Sequence, residues 1–312
     1  MLARSGDSDD AIEIDWSTPI DAQRWFVCPT TTPLYYAPVY QQLSEADQRR
    51  YNQLTAVSFN ELIAFFESTF AASVLSALND GALRRDDPEL ARALEQFVAE
   101  ERLHTTWWQR LNSLSKSDAT GDSSEPIIRV SPTAQRLLMG LTGRPRWFPA
   151  VFWVMLALEE RSLEISRRCL RMPPGMIEPR YREIYRKHLE HEAAHVEIDC
   201  QLIELHYANR SHAVRRVNAT LLRRMIANYF LPPNRSAVLV LRRLVRDRPA
   251  LAALLPQMIA ELKAVGHLPA YHEMMYSRSS TPLTFAHFDR FPEMHSMRRT
   301  LKSYMPLPEE PR

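Results

Sequence analysis

Glycine is scarce in this chain, at 7 of 312 residues, and runs that alternate β-branched with polar residues are missing. A sheet with its tight turns has little to be built from. Abundant Leu, Ala, Arg and Glu instead indicate an all-α protein. Cysteine is also rare: Cys28, Cys169 and Cys200 are scattered and odd in number, which excludes a disulfide framework or a zinc spacing and suits a reducing cytoplasm. Charge of one sign is not in excess, with a net charge of +2. No basic stripe is interleaved with aromatics, so nucleic acid is not an expected partner. Long apolar runs are lacking too. The run from Trp147 to Leu158 contains Pro149, ends at two glutamates and is too short to span a bilayer. The opening stretch MLARSGDSDDAIEID is acidic and has no apolar centre, unlike a secretory signal. The expectation is a cytoplasmic protein without a membrane partner.

Apolar residues make up 45% of the chain, enough for a large core. Residues 1–42, with FVCPTTTPLYYAPVY, read as an extended arm packed through its aromatics. Helical patterning then runs from Ser44 to about Asn79, with a break near Ser58, and from Pro88 to Leu114. SKSDATGDSSEP, at 115–126, reads as a loop, and a short helix follows Ser131-Pro132. Further helices are expected from Pro149 to Arg171, Pro179 to Ala208, over 212–230 ended by LPPN, and over 235–247 and 249–264. The tail after 280 shows no clear pattern.

The chemistry concentrates in HLEHEAAHVEID, from His188 to Asp199. A helix turns about 100° per residue, so His195, His188 and Asp199 fall within about 60° of Glu192. Ile184, Tyr185, Leu202 and Ile203 share that face, so it points inward, while His191, Glu190 and Glu197 flank it. Buried acids and imidazoles are costly without partners, and metal ions are natural ones. A second inward pair, Glu101 and His104 in EERLH, repeats the Glu-x-x-His spacing on the face of Leu94, Phe97, Val98, Trp108 and Leu111. One such pair is a weak signal and two are a strong one.

Two more carboxylates are needed for a bridged metal pair. Glu67 shares a face with Ile63, Ala64, Phe70, Ala71, Val74 and Leu78, whereas Glu61 points toward solvent. In the Glu159-Glu160 doublet, Glu159 lies with Phe152, Met155 and Leu163. Glu160 leans toward the charged face of Arg161, Glu164, Arg167 and Arg168, and it remains the alternative ligand. Glu, Glu-x-x-His, Glu, Glu-x-x-His is the ligand order of ferritin-like dimetal carboxylate bundles, and such mixed ligands suit iron or manganese. The expected architecture is a ferritin-like four-helix bundle core at about 44–210, with additional C-terminal helices at about 211–265 and a tail at 266–312. Residues 43–312 form a single helical domain in this reading.

The same stretches resemble the diiron arylamine N-oxygenases of the 4-aminobenzoate oxygenase type. NELIAFFESTF, at 60–70, looks like the first ligand helix of that family, EERLH like its acid-Glu-x-x-His helix, and HLEHEAAH like its His-x-x-x-Glu-x-x-His helix. His188 is the histidine added to the commoner six-ligand set. The resemblance spans roughly 55–205 and departs where Glu100 and His191 replace the Asp often found before a ligand Glu.

The resemblance implies two iron ions, O2 as cosubstrate, and oxidation of an amine nitrogen to hydroxylamine, nitroso or nitro. Glu67, Glu101, His104, Glu159 (or Glu160), His188, Glu192 and His195 would be the ligands. Glu100, His191 and Asp199 would orient the histidines. No flavin or nicotinamide signature is present, so electrons are expected from a ferredoxin or reductase. Apolar helices after 210 make a homodimer plausible. Rival readings are a diiron carbon hydroxylase or desaturase, and a ferritin-like iron- or peroxide-handling protein. Among other features, Trp108 is a core or channel residue, Tyr181 and Tyr185 are core tyrosines, and the arginines of 215–224 form a solvated face.

Overall fold

The computed structural model describes residues 14–79, 81–120, 126–128, 132–231 and 235–307. Among these there is no β-strand, only an isolated bridge between Trp25 and Ile177. The elements are α1 (Glu45–Phe65), α2 (Ala72–Leu78), α3 (Gly81–Asp86), α4 (Pro88–Thr120), α5 (Pro132–Thr142), α6 (Ala150–Arg171) and α7 (Pro179–Ile203). They continue as α8 (His212–Met225), α9 (Arg235–Asp247), α10 (Leu255–Val265), α11 (Pro269–Met275) and α12 (Pro282–Arg290). This is the all-α, ferritin-like bundle expected from the residue pattern.

Four rods build the centre: α1 with α2, α4, α6 and α7. α6 packs along α7, α1 along α4, and α4 meets α7. Their starts are written in local chemistry. The Ser44 hydroxyl accepts from Asp47 N at 3.2 Å at the head of α1. Asp87 accepts from Leu90 N at 2.9 Å before Pro88 opens α4. Ahead of α7, Glu178 accepts from the N–H groups of Arg180 and Tyr181 at 2.8 and 3.0 Å. The first amide of α6 is held by Asn218 of α8, at 3.1 Å.

Several expectations change. No break occurs near Ser58; the irregularity lies later, where a π-helical turn over Phe66–Ala71 joins α1 to α2. α4 runs on to Thr120, into the stretch expected to be loop; the rest of that stretch, 121–125, lies outside the described residues, as do 1–13 of the arm and 232–234 of LPPN. Over 29–42 the arm expected to be extended winds into three 3-10 turns, each opened by a proline. Asn52 ties it to α1: Oδ1 accepts from Phe26 N and Val27 N at 3.0 and 3.2 Å, and Nδ2 donates to Val27 O at 2.8 Å. The region after 266 holds α11, α12 and a 3-10 segment, Pro292–Arg299, with Phe288 stacked on Trp153 of α6.

The α1–α2 rod, Glu45–Leu78, is long and apolar enough by length and composition to cross a membrane, unlike the shorter Trp147–Leu158 run. Two of its buried polar side chains face protein groups: Asn60 Nδ2 donates to Asn112 Oδ1 at 2.9 Å, and Glu67 is enclosed as described below.

Candidate metal centre

Glu67 occupies the wide turn between α1 and α2 and is 1% exposed. Such turns recur at functional sites because they re-aim a side chain without ending the helix. Two donors from α4 hold its carboxylate. Trp108 Nε1 donates to Oε1 at 3.1 Å, and Thr105 Oγ1 donates to Oε2 at 3.3 Å. His188 Nε2 lies 3.3 Å from Oε1. Trp108 is therefore more than a packing residue. Its signal in the sequence was its place one turn beyond His104, on the same inward face.

α4 and α7 contribute matching halves. On α4, His104 turns Nδ1 toward Glu192 Oε1 at 3.3 Å, while its Nε2 meets His191 Nδ1 of α7 at 2.9 Å. On α7, His195 turns Nδ1 toward Glu101 Oε1 and Glu192 Oε2, each at 3.1 Å, while its Nε2 meets Glu100 Oε2 of α4 at 2.8 Å. In each ring the outer nitrogen is engaged by the residue that precedes the opposite helix's inward glutamate. An N–H donated outward leaves the inner nitrogen with a lone pair, which is what a metal requires of imidazole. His188 points Nε2 at Glu192 Oε1, at 2.9 Å. Phe97 stacks on His195 with ring centres 3.7 Å apart and closes that side.

The α6 doublet separates by contact. Glu160 is buried, not solvated: its two oxygens accept from Leu283 N and Thr284 N at 2.8 and 2.7 Å, capping α12. Glu159 is 3% exposed, and its Oε1 has no hydrogen-bond partner among the described residues. Glu192 and Glu101 are the acids nearest it electrically. Glu61, expected in solvent, accepts from Lys116 Nζ and Ile128 N, both at 2.8 Å. Asp199 is fully buried, and among the described residues neither oxygen has a hydrogen-bond partner, so it makes no hydrogen bond to a histidine.

The geometry forms two overlapping groups. Glu67, His104, His188 and Glu192 each bring a donor atom within 4.8 Å of the others, and so do Glu101, His104, Glu192 and His195. His104 and Glu192 are common to both. Glu159 stands outside the two groups and beside them.

The electrostatics are those of too many acids in a dry interior. Burial pushes Glu67 up to about 8, against the pull of His188, and Glu101 up to about 7, against the pull of His195. Burial with Glu192 and Glu101 pushes Glu159 well up. Glu192, buried as deeply, is drawn well below the carboxylate range by His188, His195 and His104. Burial lowers His104 to about 4, so its ring stays neutral. Among the described residues, Glu101 Oε2, Glu159 Oε1 and both oxygens of Asp199 are buried without a hydrogen-bond partner, and Glu101 Oε1, His104 Nδ1 and Glu192 Oε1 face only other members of the cluster, outside hydrogen-bonding geometry. Unanswered acceptors are costly in low dielectric, and divalent cations are the ligands this donor set fits.

An all-α bundle with inward Glu and Glu-x-x-His sets from four rods defines a ferritin-like dimetal carboxylate protein. Within that class, the chain belongs to the family described as P-aminobenzoate N-oxygenase AurF, whose sequence profile matches residues 3–261. The family is one of diiron, O2-dependent N-oxygenases. The match extends well beyond 55–205, taking in the arm from residue 3, α8, α9 and the first part of α10, where local motifs carry no recognisable signal. A comparison with curated individual proteins gives no match.

Proposed function

We propose that this chain holds two iron ions between Glu67, Glu101, His104, Glu159, His188, Glu192 and His195 and oxidises the nitrogen of a small arylamine with O2 as cosubstrate. The observation that carries the reading is the pair of overlapping donor groups sharing His104 and Glu192. A lone metal site would need one group; two groups with a common carboxylate suit two adjacent cations. Manganese is the alternative metal for such ligands.

Bound iron would supply the redox capacity to reduce O2, chemistry that side chains lack. The chain's own work is placement and exclusion. His104 and His195 present Nδ1 because His191 and Glu100 hold their other nitrogens. Trp108 and Thr105 keep Glu67 aimed inward. Glu159 leaves its Oε1 without a hydrogen-bond partner among the described residues, while Glu160 caps α12. The first oxidation balances as amine, O2, two electrons and two protons giving hydroxylamine and water. The electrons come from an external ferredoxin or reductase, and the protein works as a homodimer in the cytoplasm.

The test is to load the purified chain with iron, count the metal, reduce it, and expose it to O2 with 4-aminobenzoate. About two iron ions per chain and N-oxygenated products by mass spectrometry are expected. Full iron loading with oxidation confined to carbon positions would replace this reading with a carbon oxygenase.

A further inference from the structure

The arginines of 215–224 do not form the plain solvated face expected of them. His212, Arg216, Thr220 and Arg223 stand one above another along α8, at the three- and four-residue spacing that shares a face. The 3-10 segment Pro292–Arg299 packs against α8, and its three residues per turn bring Glu293, Ser296 and Arg299 into a second row. Both rows line one cavity of about 350 Å³. That volume lies at the small end of ligand pockets, which run from roughly 300 to 1,000 Å³.

The cavity is cationic, and its charge is not answered from within. Among the described residues Glu293 is the one carboxylate on its walls, and it is already engaged: Oε1 lies 2.8 Å from His212 Nδ1 and 2.9 Å from Arg215 Nε. Among the described residues no carboxylate pairs with Arg216, Arg223 or Arg299, and Arg223 Nε is buried without a hydrogen-bond partner. Cations gathered on one helix face repel one another. Thr220 and Ser296 are short side chains that leave the space between the guanidiniums open. Arg216 and Arg223 are two turns apart, about 10 Å along the axis, a span suited to two linked phosphoryl groups rather than one. Guanidinium forks match phosphoryl oxygens in two-point contacts.

We propose that this cavity binds a diphosphate group, as free pyrophosphate or as part of a nucleotide, between Arg216 and Arg223 of α8 and Arg299 of the facing segment. A concave site of this size favours a small anion over an acidic protein segment. The assignment does not depend on the N-oxygenase reading: no wall residue belongs to either donor group of the metal centre. The second wall also lies beyond residue 261, where the family match ends.

The test is calorimetry on the iron-loaded full chain with pyrophosphate, ADP, sulfate and a hexaglutamate peptide, with iron counted before and after. Pyrophosphate should bind at least about tenfold tighter than sulfate, because a single dianion cannot span both turns. Arg216 and Arg299 are exposed, so their substitution spares the fold. Arg216→Gln and Arg299→Gln should each weaken pyrophosphate by about tenfold or more. Arg224→Gln removes the same charge from α8 outside the cavity and should change binding by less than about threefold. ADP binding as tightly as pyrophosphate supports a nucleotide as the source, and weaker ADP supports free pyrophosphate. The proposal is overturned if pyrophosphate does not bind, or if Arg224→Gln weakens it as much as Arg216→Gln, which would leave only the general field of α8. Binding that survives both cavity substitutions would move the anion to the iron and overturn it too. So would hexaglutamate binding as tightly as pyrophosphate, in favour of an acidic protein segment.

Discussion

Glu100 Oε2 sits 2.8 Å from His195 Nε2, so the residue preceding Glu101 on α4 steadies an imidazole of α7. Burial raises the Glu100 carboxyl, but hydrogen bonds from His195 and Gln96 win and hold it below the usual range, so it accepts rather than donates. Glu100→Ala should leave the fold intact and lower metal affinity by about 10- to 100-fold, the usual effect of removing a partner behind a ligating histidine. His191→Ala should do the same through His104. Chelator competition measures both, and an unchanged affinity in either would remove that residue from the site.

The two acids of the α6 doublet should fail in different ways. Glu159→Gln removes a buried carboxylate with no hydrogen-bond partner on Oε1 and should lower metal content with little loss of stability. Glu160→Gln weakens a two-point cap on α12 and should cost about 1–2 kcal/mol in denaturant unfolding while metal content holds. The reverse pattern would exchange their roles.

The metal-free chain should lose stability as pH rises. Glu67 and Glu101 keep their protons to about 8 and about 7 when folded, under the dominant effect of burial, but release them in the ordinary carboxylate range when unfolded. Between those limits the folded state binds more protons, so unfolding becomes easier with increasing pH. His188 adds to the trend: although burial pulls it down, Glu192 and Glu67 raise it to about 10, and its favourable charge is lost as pH climbs through that value. Thermal unfolding of metal-free protein at pH 5.5, 7 and 8.5 (about three evenly spaced points in that window) should show a falling Tm. Metal-loaded protein should show a much flatter profile, because the carboxylates no longer need protons. A metal-free Tm that rises with pH would contradict the assignment of these groups to one desolvated cluster.

Trp108→Phe keeps an aromatic ring at a fully buried position, removes part of the indole volume, and removes the donor to Glu67. Above about pH 8, where Glu67 is ionised in the metal-free chain, this hydrogen bond is charge-assisted and contributes about 1.5–3 kcal/mol. The substitution should cost a stability loss of that order in the metal-free chain and a smaller one once metal is bound. Equal losses in both states would mean that Trp108 acts through packing alone.

Much of this site was legible in the sequence because two periodicities coincided. Glu101, His104, His188, Glu192 and His195 fall on faces also marked by Phe97, Leu94, Ile184 and Leu202, so chemistry and burial pointed the same way. Glu160 was harder. Its neighbours Arg161 and Glu164 look like a solvated face, yet a C-terminal segment more than a hundred residues away covers them, and covering by a remote segment leaves no trace in local pattern. Asp199 has the phase of a partner for the histidines but makes no such bond. The π-helical turn at Glu67 was invisible for a related reason: a rotation of 100° per residue is assumed in every phase argument and is broken there.

That wide turn has a consequence for how the chain tolerates change. A hydrogen-bonding step of five residues in place of four accommodates one residue more than the flanking helices require. Ser68 is the exposed member of the turn, so omitting it lets α1 and α2 fuse as one regular helix with their packing faces preserved. The shortened protein should fold with near-normal helicity while Glu67 swings out of line, uncoupling the scaffold's architecture from its chemistry by a single codon.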